Sequence, residues 1–234
     1  MEINEGRGNA NKVMARVLLP LLRDMDCKLC SIEGGNLRNA IPREATAVVA
    51  VPADAVEDFK KVVSETDAVV RKEIGLIDPN VTIFCEAGKS KTVIAGNTAL
   101  KLVKAVYACP NAVDRMSLAV KDLVESSNNL AIVKSENGRF FVRCLMRSST
   151  DSIKYDLAES FRAAFELAGA KVTFAGGYSG WSPNMESPIL KTMRAQYKKL
   201  YGTEPAVMAI HAGLEAGRVR TLLFAHAPRF CQYA

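Results

Sequence analysis

The chain opens on a helical period. Residues 9–24, "NANKVMARVLLPLLRD", place Val13, Val17, Leu18, Leu21 and Leu22 on one face of a helix. Pro20 falls inside that run, where a proline kinks or shortens a helix. The period then changes from 3.6 to 2. "EGGNLRNAIPREATAVVAV", 33–51, ends in a strand-like alternation, with Ala45, Ala47, Val49 and Val51 on one side. A hairpin is predicted from strands near 27–33 and 44–51. Its turn carries Arg38, Asn39, Arg43 and Glu44 around Ile41-Pro42, more polar groups than a turn requires. A helix follows, with Asp54 as N-cap and Glu57 in the capping-box position. It presents Val56, Phe59, Val63 and Val70 and stops at Gly75, and "NVTIFCEAG", 80–88, reads as a strand.

The pattern then restarts. "TALKLVKAVYAC", 98–109, is a helix, and 129–147 is a hairpin around Glu136-Asn137-Gly138. Asn-Gly between alternating apolar residues is a strong short-range hairpin signal. Asp151 or Ser152 caps a helix presenting Leu157, Phe161, Ala164 and Phe165 and closed by Gly169, and "AKVTFAGG" is a further strand. Helix–hairpin–helix–strand therefore occurs twice, at 9–86 and 98–175. That is the signature of a doubled split β-α-β unit, a two-layer α+β (α/β-class) architecture of ferredoxin-like type. The second copy can borrow 80–86 as its opening strand. The first has only the short, polar stretch before its helix, so the repeat reads as starting in mid-domain.

After 176 the texture changes. "GGYSGWSPNMES" is turn-rich and holds the single tryptophan, Trp181. Ser187-Pro188 starts a helix expected to bury Ile189, Met193, Tyr197 and Leu200 and to end at Gly202. "PAVMAI" is then a buried strand leading into "HAGLEAG". The expected division is a first domain over 1–175 and part of a second over 176–234.

Composition narrows the class. A chain of 234 residues that is 49% hydrophobic and 24% charged can bury an ordinary globular core. No apolar run reaches the length of a membrane span and no secretory signal is visible, so a cytoplasmic location and no membrane partner are expected. Net charge is +6, with 31 basic and 25 acidic residues scattered rather than striped, so no nucleic-acid partner is expected. Six cysteines stand at 27, 30, 85, 109, 144 and 231. Cys27 and Cys30 form a CxxC, but no second pair follows at zinc-ligand spacing, and buried reduced thiols are the reading.

The chemistry in the residues is sparse. His211 ends the 206–210 strand, with Gly213 and Glu215 just beyond it. Strand ends of an α/β layer are where ligands sit, although a backbone-satisfied histidine would look the same. The other histidine, His226, lies in a basic tail. No HxxxH, HxD, GxSxG, phosphate loop or dinucleotide fingerprint is present. Taken alone, the sequence holds no complete catalytic machine.

Six segments, "EINEGRGNANKVMARVL", "GGNLRNAIPREA", "SSNNLAIV", "CLMRSSTDS", "GGYSGWSPNMESPIL" and "IHAGLEAG", together resemble the aminoacyl-histidine (Xaa-His) dipeptidases. These are metallopeptidases of the clan that includes carnosinases and aminoacylases. The resemblance runs in order from Glu2 to about Gly217. It implies a two-zinc catalytic domain with an inserted lid domain of the doubled split β-α-β type. It implies that Asn39, the asparagine of the N-A-I-P turn, reaches the substrate, where its amide can donate to a peptide carbonyl or to the oxyanion formed on hydrolysis. An asparagine bonded within its own turn is the plain alternative. It further implies that Arg147 in "LMRSST" binds the substrate carboxylate, a task suited to a bidentate guanidinium. A strand-end surface charge is the alternative. The His211, Gly213 and Glu215 segment resembles the turn through which relatives contact substrate, and Asn129 in "SSNNLAI" would support the site from behind.

The departures matter as much. The metal-binding His, Asp and Glu residues of the family, and its glutamate base, lie on a segment without counterpart here, so neither of the two zinc ions of intact relatives is expected to bind in the family manner. After about Gly217 the resemblance is lost, and "RVRTLLFAHAPRFCQYA" reads like sequence from a shifted frame. The expectation is a substrate-clamping lid plus the start of a C-terminal catalytic segment. A small Xaa-His dipeptide would be its ligand, the chain alone would be inactive, and homodimers would pair by sheet edges. The alternative is a non-catalytic interaction or RNA-binding module of ferredoxin-like repeats, for which "GRFFVRCLM" lacks the full glycine–aromatic spacing.

Overall fold

The computed structural model describes residues 3–118, 120–181 and 184–207. Helix α1, Ala10–Asp24, begins where the Asn9 side chain accepts hydrogen bonds from the Asn11 and Lys12 amides, satisfying two of the orphan donors of a helix start. It continues past Pro20, so the proline does not shorten it. Strands β1, Lys28–Gly34, and β2, Ala45–Ala50, form the first hairpin. Helix α2 spans Val56–Ile74. Asp54 does not cap it; a 3-10 turn over Ala53–Ala55 comes first, and the N-cap is Ala55, without a side-chain bond.

The second copy contains α3, Gly96–Ala108, then β3, Ala112–Met116, β4, Val124–Glu136, β5, Arg139–Ser148, and α4, Asp151–Leu167. The β4–β5 turn places Asn137 at φ 50° and Gly138 at φ 70°, the two positive φ values that an Asn-Gly two-residue hairpin needs. Thr150, rather than Asp151 or Ser152, is the N-cap of α4. Helix α5, Pro188–Tyr201, closes on Gly202 in the left-handed conformation. The face of α5 expected to be buried is open: Ile189 and Met193 are 65% and 64% exposed.

The five strands make one antiparallel sheet with β4 at its centre. Strand β5 pairs with β4 over most of its length, from Ser126↔Ser148 to Glu136↔Arg139. The opposite edge of β4 is shared. Strand β3 takes 124–128, while β1 meets only Val133 and Lys134. Strand β2 lies outside β1. Helices α1, α3 and α4 pack on one face, where Leu18, Leu29, Val103, Val106 and Leu130 are at most 1% exposed. Each such side chain contributes about 1.5–3 kcal/mol by leaving water. A smaller cluster of Val17, Leu21, Cys27 and Val63 joins α1 to α2.

The doubled helix–hairpin–helix unit is present, but two of its expected strands do not form. Neither 80–88 nor 170–177 is a strand. The Ile83 amide donates to the Asp67 carboxylate on α2 at 2.6 Å, and the Ile83 side chain packs on the smaller cluster. Val172 leans on the main core, and Phe174 meets Phe161 edge-on at 6.5 Å. In both stretches the alternation reports a side leaning on a helix, and no ladder partner is required for that. Strand β3 was not anticipated, because its residues are half-buried or exposed and carry no period. The thiols of Cys27, Cys30 and Cys109 are buried and free. Cys144 is half-buried, and a hydrogen bond with Cys109 together with burial raises its pKa well above the usual thiol value.

Candidate functional site

Between the end of β1 at Gly34, opposite Val133, and the start of β3 at Ala112, opposite Asn128, one edge of β4 lacks a strand. Ladder groups left there would be costly if unmet. Asparagine side chains meet them instead. The Leu130 amide donates to Asn111 Oδ1 at 2.9 Å, and the Leu130 carbonyl accepts from Asn9 Nδ2 at 3.1 Å and Asn11 Nδ2 at 3.2 Å. Asn9 Nδ2 also donates to Asn111 Oδ1, and Asn128 Nδ2 donates to the Pro110 carbonyl at 2.6 Å. Asn9, Asn11, Asn128 and Asn129 are all buried.

The turn carrying Asn39 passes through this gap. Gly35, at φ 72°, lies so close to β4 that a Cβ there would stand 1.9 Å from the Ala131 carbonyl oxygen, a combination only glycine permits. The Ala10 amide donates to the Pro42 carbonyl at 3.0 Å, tying the far end of the turn to the start of α1. At the apex, Asn129 Nδ2 donates to the Arg38 carbonyl at 3.0 Å and the Ala40 carbonyl at 2.7 Å. Asn39 is exposed between them, and its side chain makes no hydrogen bond to another described residue.

Arg147 lies in β5, one residue before its end, and is half-buried. Its cross-strand partner is Ser127, and that of Asn129 is Leu145. Phe140, Val142, Cys144 and Met146 face the helices, so Arg147, Leu145 and Asn129 share the other face. The turn held by Asn129 and the Arg147 side chain therefore stand on the same side of the sheet, one two-residue step apart along β5, roughly 7 Å. Neither Asn39 nor Arg147 lies in the apolar layer beneath the helices. Nearby, Glu125 is paired with Arg115 at 2.9 Å.

A second constraint sits beside Arg147. Residues 176–181 fold back over the start of α4. The Gly180 amide donates to Asp151 Oδ1 at 2.8 Å, and Lys154 Nζ donates to both Asp151 and the Tyr178 carbonyl. A Cβ at Gly180 would fall 2.3 Å from the Ser149 carbonyl oxygen. The Lys154 ammonium, helped by the Gly180 N–H, holds the Asp151 carboxyl below its ordinary value of 3.8.

Residues 1–78 match the family described as peptidase dimerisation domain. The chain is 35% identical over 217 residues to the cytosol non-specific dipeptidase of Escherichia coli (strain K12), a match covering 92% of this chain and 45% of that protein. It superposes on the crystal structure of aminoacylhistidine dipeptidase from Vibrio alginolyticus with a TM-score of 0.88 at 38% identity, over 94% of this chain and 45% of that one. The chain belongs to this dipeptidase family. It spans somewhat under half the length of these relatives.

Among the described residues no three His, Cys, Asp or Glu side chains come together in a way that would hold an ion. His211, Gly213, Glu215 and His226 lie outside the described residues, as does most of the expected 206–210 strand. No described helix is long and apolar enough to cross a membrane. Apart from Asn129, the asparagines of the cluster were missed in reading the sequence, as were Gly35 and the Asp151–Gly180 latch. The available signal was the recurrence of asparagine in "GNANK", "CPNAV" and "SSNN" beside apolar runs.

Proposed function

We propose that this chain is the substrate-clamping lid of a dipeptidase acting on Xaa-His dipeptides, with residues 1–175 as the lid and 176–234 as the start of a C-terminal catalytic segment. The observation that supports this most directly is the exposed Asn39 turn standing on the same sheet face as Arg147. In this reading the Asn39 amide donates to the carbonyl of the scissile peptide and to the oxyanion that replaces it. Such a donor stabilises charge as it develops, and the anchored turn needs little reordering on binding. The Arg147 guanidinium takes the terminal carboxylate through two parallel hydrogen bonds. His211, Gly213 and Glu215 line the substrate from the catalytic segment, and Asn129 supports Asn39. The two zinc ions of intact relatives would supply the activated water. The name of the Escherichia coli relative supports a cytosolic setting, and nothing favours a nucleic acid or a membrane as partner.

The test has two arms. Purified chain with added zinc or manganese should release no histidine from a histidine-containing dipeptide; turnover that tracks added metal would overturn the reading of a lid inactive alone. Titration with the dipeptide and with its C-terminal amide should show the amide binding about tenfold more weakly, the scale of one charge-assisted contact. Equal affinities would remove the carboxylate role from Arg147.

A further inference from the structure

Asn129 is 1% exposed and spends both N–H groups on the carbonyls at either side of Asn39. Because both neighbours are acceptors, the amide nitrogen must face the turn. Its Oδ1 is then left buried without a hydrogen-bond partner. The orphaned acceptor offsets part of what the two donations contribute, so what this side chain does is done through its Nδ2, on the turn. The rest of the gap follows the same logic. Asn9, Asn11 and Asn111 occupy the β4 edge and hold Leu130, while Gly34 O accepts from Asn11 Nδ2 at 3.4 Å just where the chain leaves β1. The strandless stretch of sheet is thus a built aperture, polar on its walls, through which the 35–43 turn is threaded and held at its ends and at its apex.

From this geometry we infer that Asn129 is the positioning residue of the clamp: its paired donation fixes the Arg38–Ala40 backbone so that the Asn39 amide points out toward the dipeptide carbonyl. The inference rests on the reading of Asn39 as the substrate-facing residue, and it makes a claim that reading does not. Orientation of Asn39 depends on a donor at 129, so replacing the donor by an acceptor of the same shape should release the turn and leave the core intact. Asn129→Asp does this. An ionised carboxylate would face two carbonyl oxygens, and protonation would return one O–H donor.

The experiment uses the full chain and amide correlation spectra. In Asn129→Asp at neutral pH, resonances of Leu37–Glu44 and the Asn39 side-chain amide should shift or broaden, while those of Val103 and Phe161 stay in place. On acidification the turn resonances should move back toward their wild-type positions as the new carboxyl gains its proton, a pH dependence absent from the wild type. Asn129→Ala should show the released turn at every pH. Turn resonances that stay wild-type-like in both variants, or that move only together with the core, would overturn the inference. Dipeptide titration separates this claim from the one beneath it. Asn129→Ala should weaken binding about as much as Asn39→Ala does, on the order of tenfold. Loss in Asn39→Ala with none in Asn129→Ala overturns the positioning role. If the wild-type chain binds no dipeptide, the substrate reading falls, and the spectra alone decide whether Asn129 holds the turn.

Discussion

Replacing Gly35 by alanine tests how tightly the turn is threaded past β4. Two costs are expected. Gly35 has φ 72°, in the left-handed region, where an L side chain costs about 1–2 kcal/mol. In addition, the new Cβ would lie 1.9 Å from the Ala131 carbonyl oxygen. Ala131 is fully buried in the central strand, so the turn must give way. A shift of an ångström or so stretches both Asn129 donations beyond hydrogen-bond range, at about 1 kcal/mol each. The sum is about 3–4 kcal/mol. Gly138 is the internal control. It has nearly the same backbone, φ 70°, but a Cβ placed there meets nothing within 4 Å, so Gly138→Ala carries the left-handed cost alone. The difference between the two variants is about 2 kcal/mol, or roughly 4–8 °C in melting temperature for a chain of this size. Thermal unfolding followed by circular dichroism, on both variants side by side, reads it directly. Equal melting temperatures would refute the claim that close approach to β4, rather than backbone conformation, is why residue 35 is glycine.

Two further predictions follow from the latch and from the strand edges. The Asp151 carboxyl is held below 3.8 by Lys154 and the Gly180 N–H, so its contribution is present above that value and is lost as pH falls through the lower, folded-state value. Fluorescence of the single tryptophan, Trp181, one residue past the latch, should therefore change as pH falls below 3.8 in the wild type and stay flat in Asp151→Asn; superimposable titrations would show that the latch does not hold this segment. Strands β2 and β5 each pair on one edge only within the described sheet, and the match to a dimerisation domain points the same way, so homodimers are expected. Light scattering across micromolar concentrations should report twice the chain mass, and a monomer throughout would count against pairing.

The helices, the two hairpins and their repetition were legible in the sequence, because each rests on a local signal: a 3.6 or 2.0 period, an Asn-Gly turn, a glycine after the last helical residue. The candidate site was legible only through resemblance, in Asn39 and Arg147, since a lone asparagine in a turn and a lone arginine in a strand carry no chemistry that spacing could reveal. Alternation at 80–88 and 170–177 was real but ambiguous. It records one half-buried side, and whether that side leans on a helix or joins a ladder depends on where the rest of the chain lies. The open face of α5 has the same origin, for an amphipathic period states that a face is apolar without naming what covers it.

Tertiary structure alone decided the gap in the edge of β4. Strands β1 and β3 reach the same edge from distant parts of the chain and stop short of each other. Only then do Asn9, Asn11, Asn111 and Asn129, spread over 120 positions of sequence, acquire a common task. Each residue satisfies backbone groups contributed by another element, and such pairings have no period along the chain. The sequence determined which segments curl and which extend. Where a strand was left out, and which turn was threaded through the opening, followed from packing those segments into one sheet, because an unmet backbone group has meaning only once its neighbours are in place.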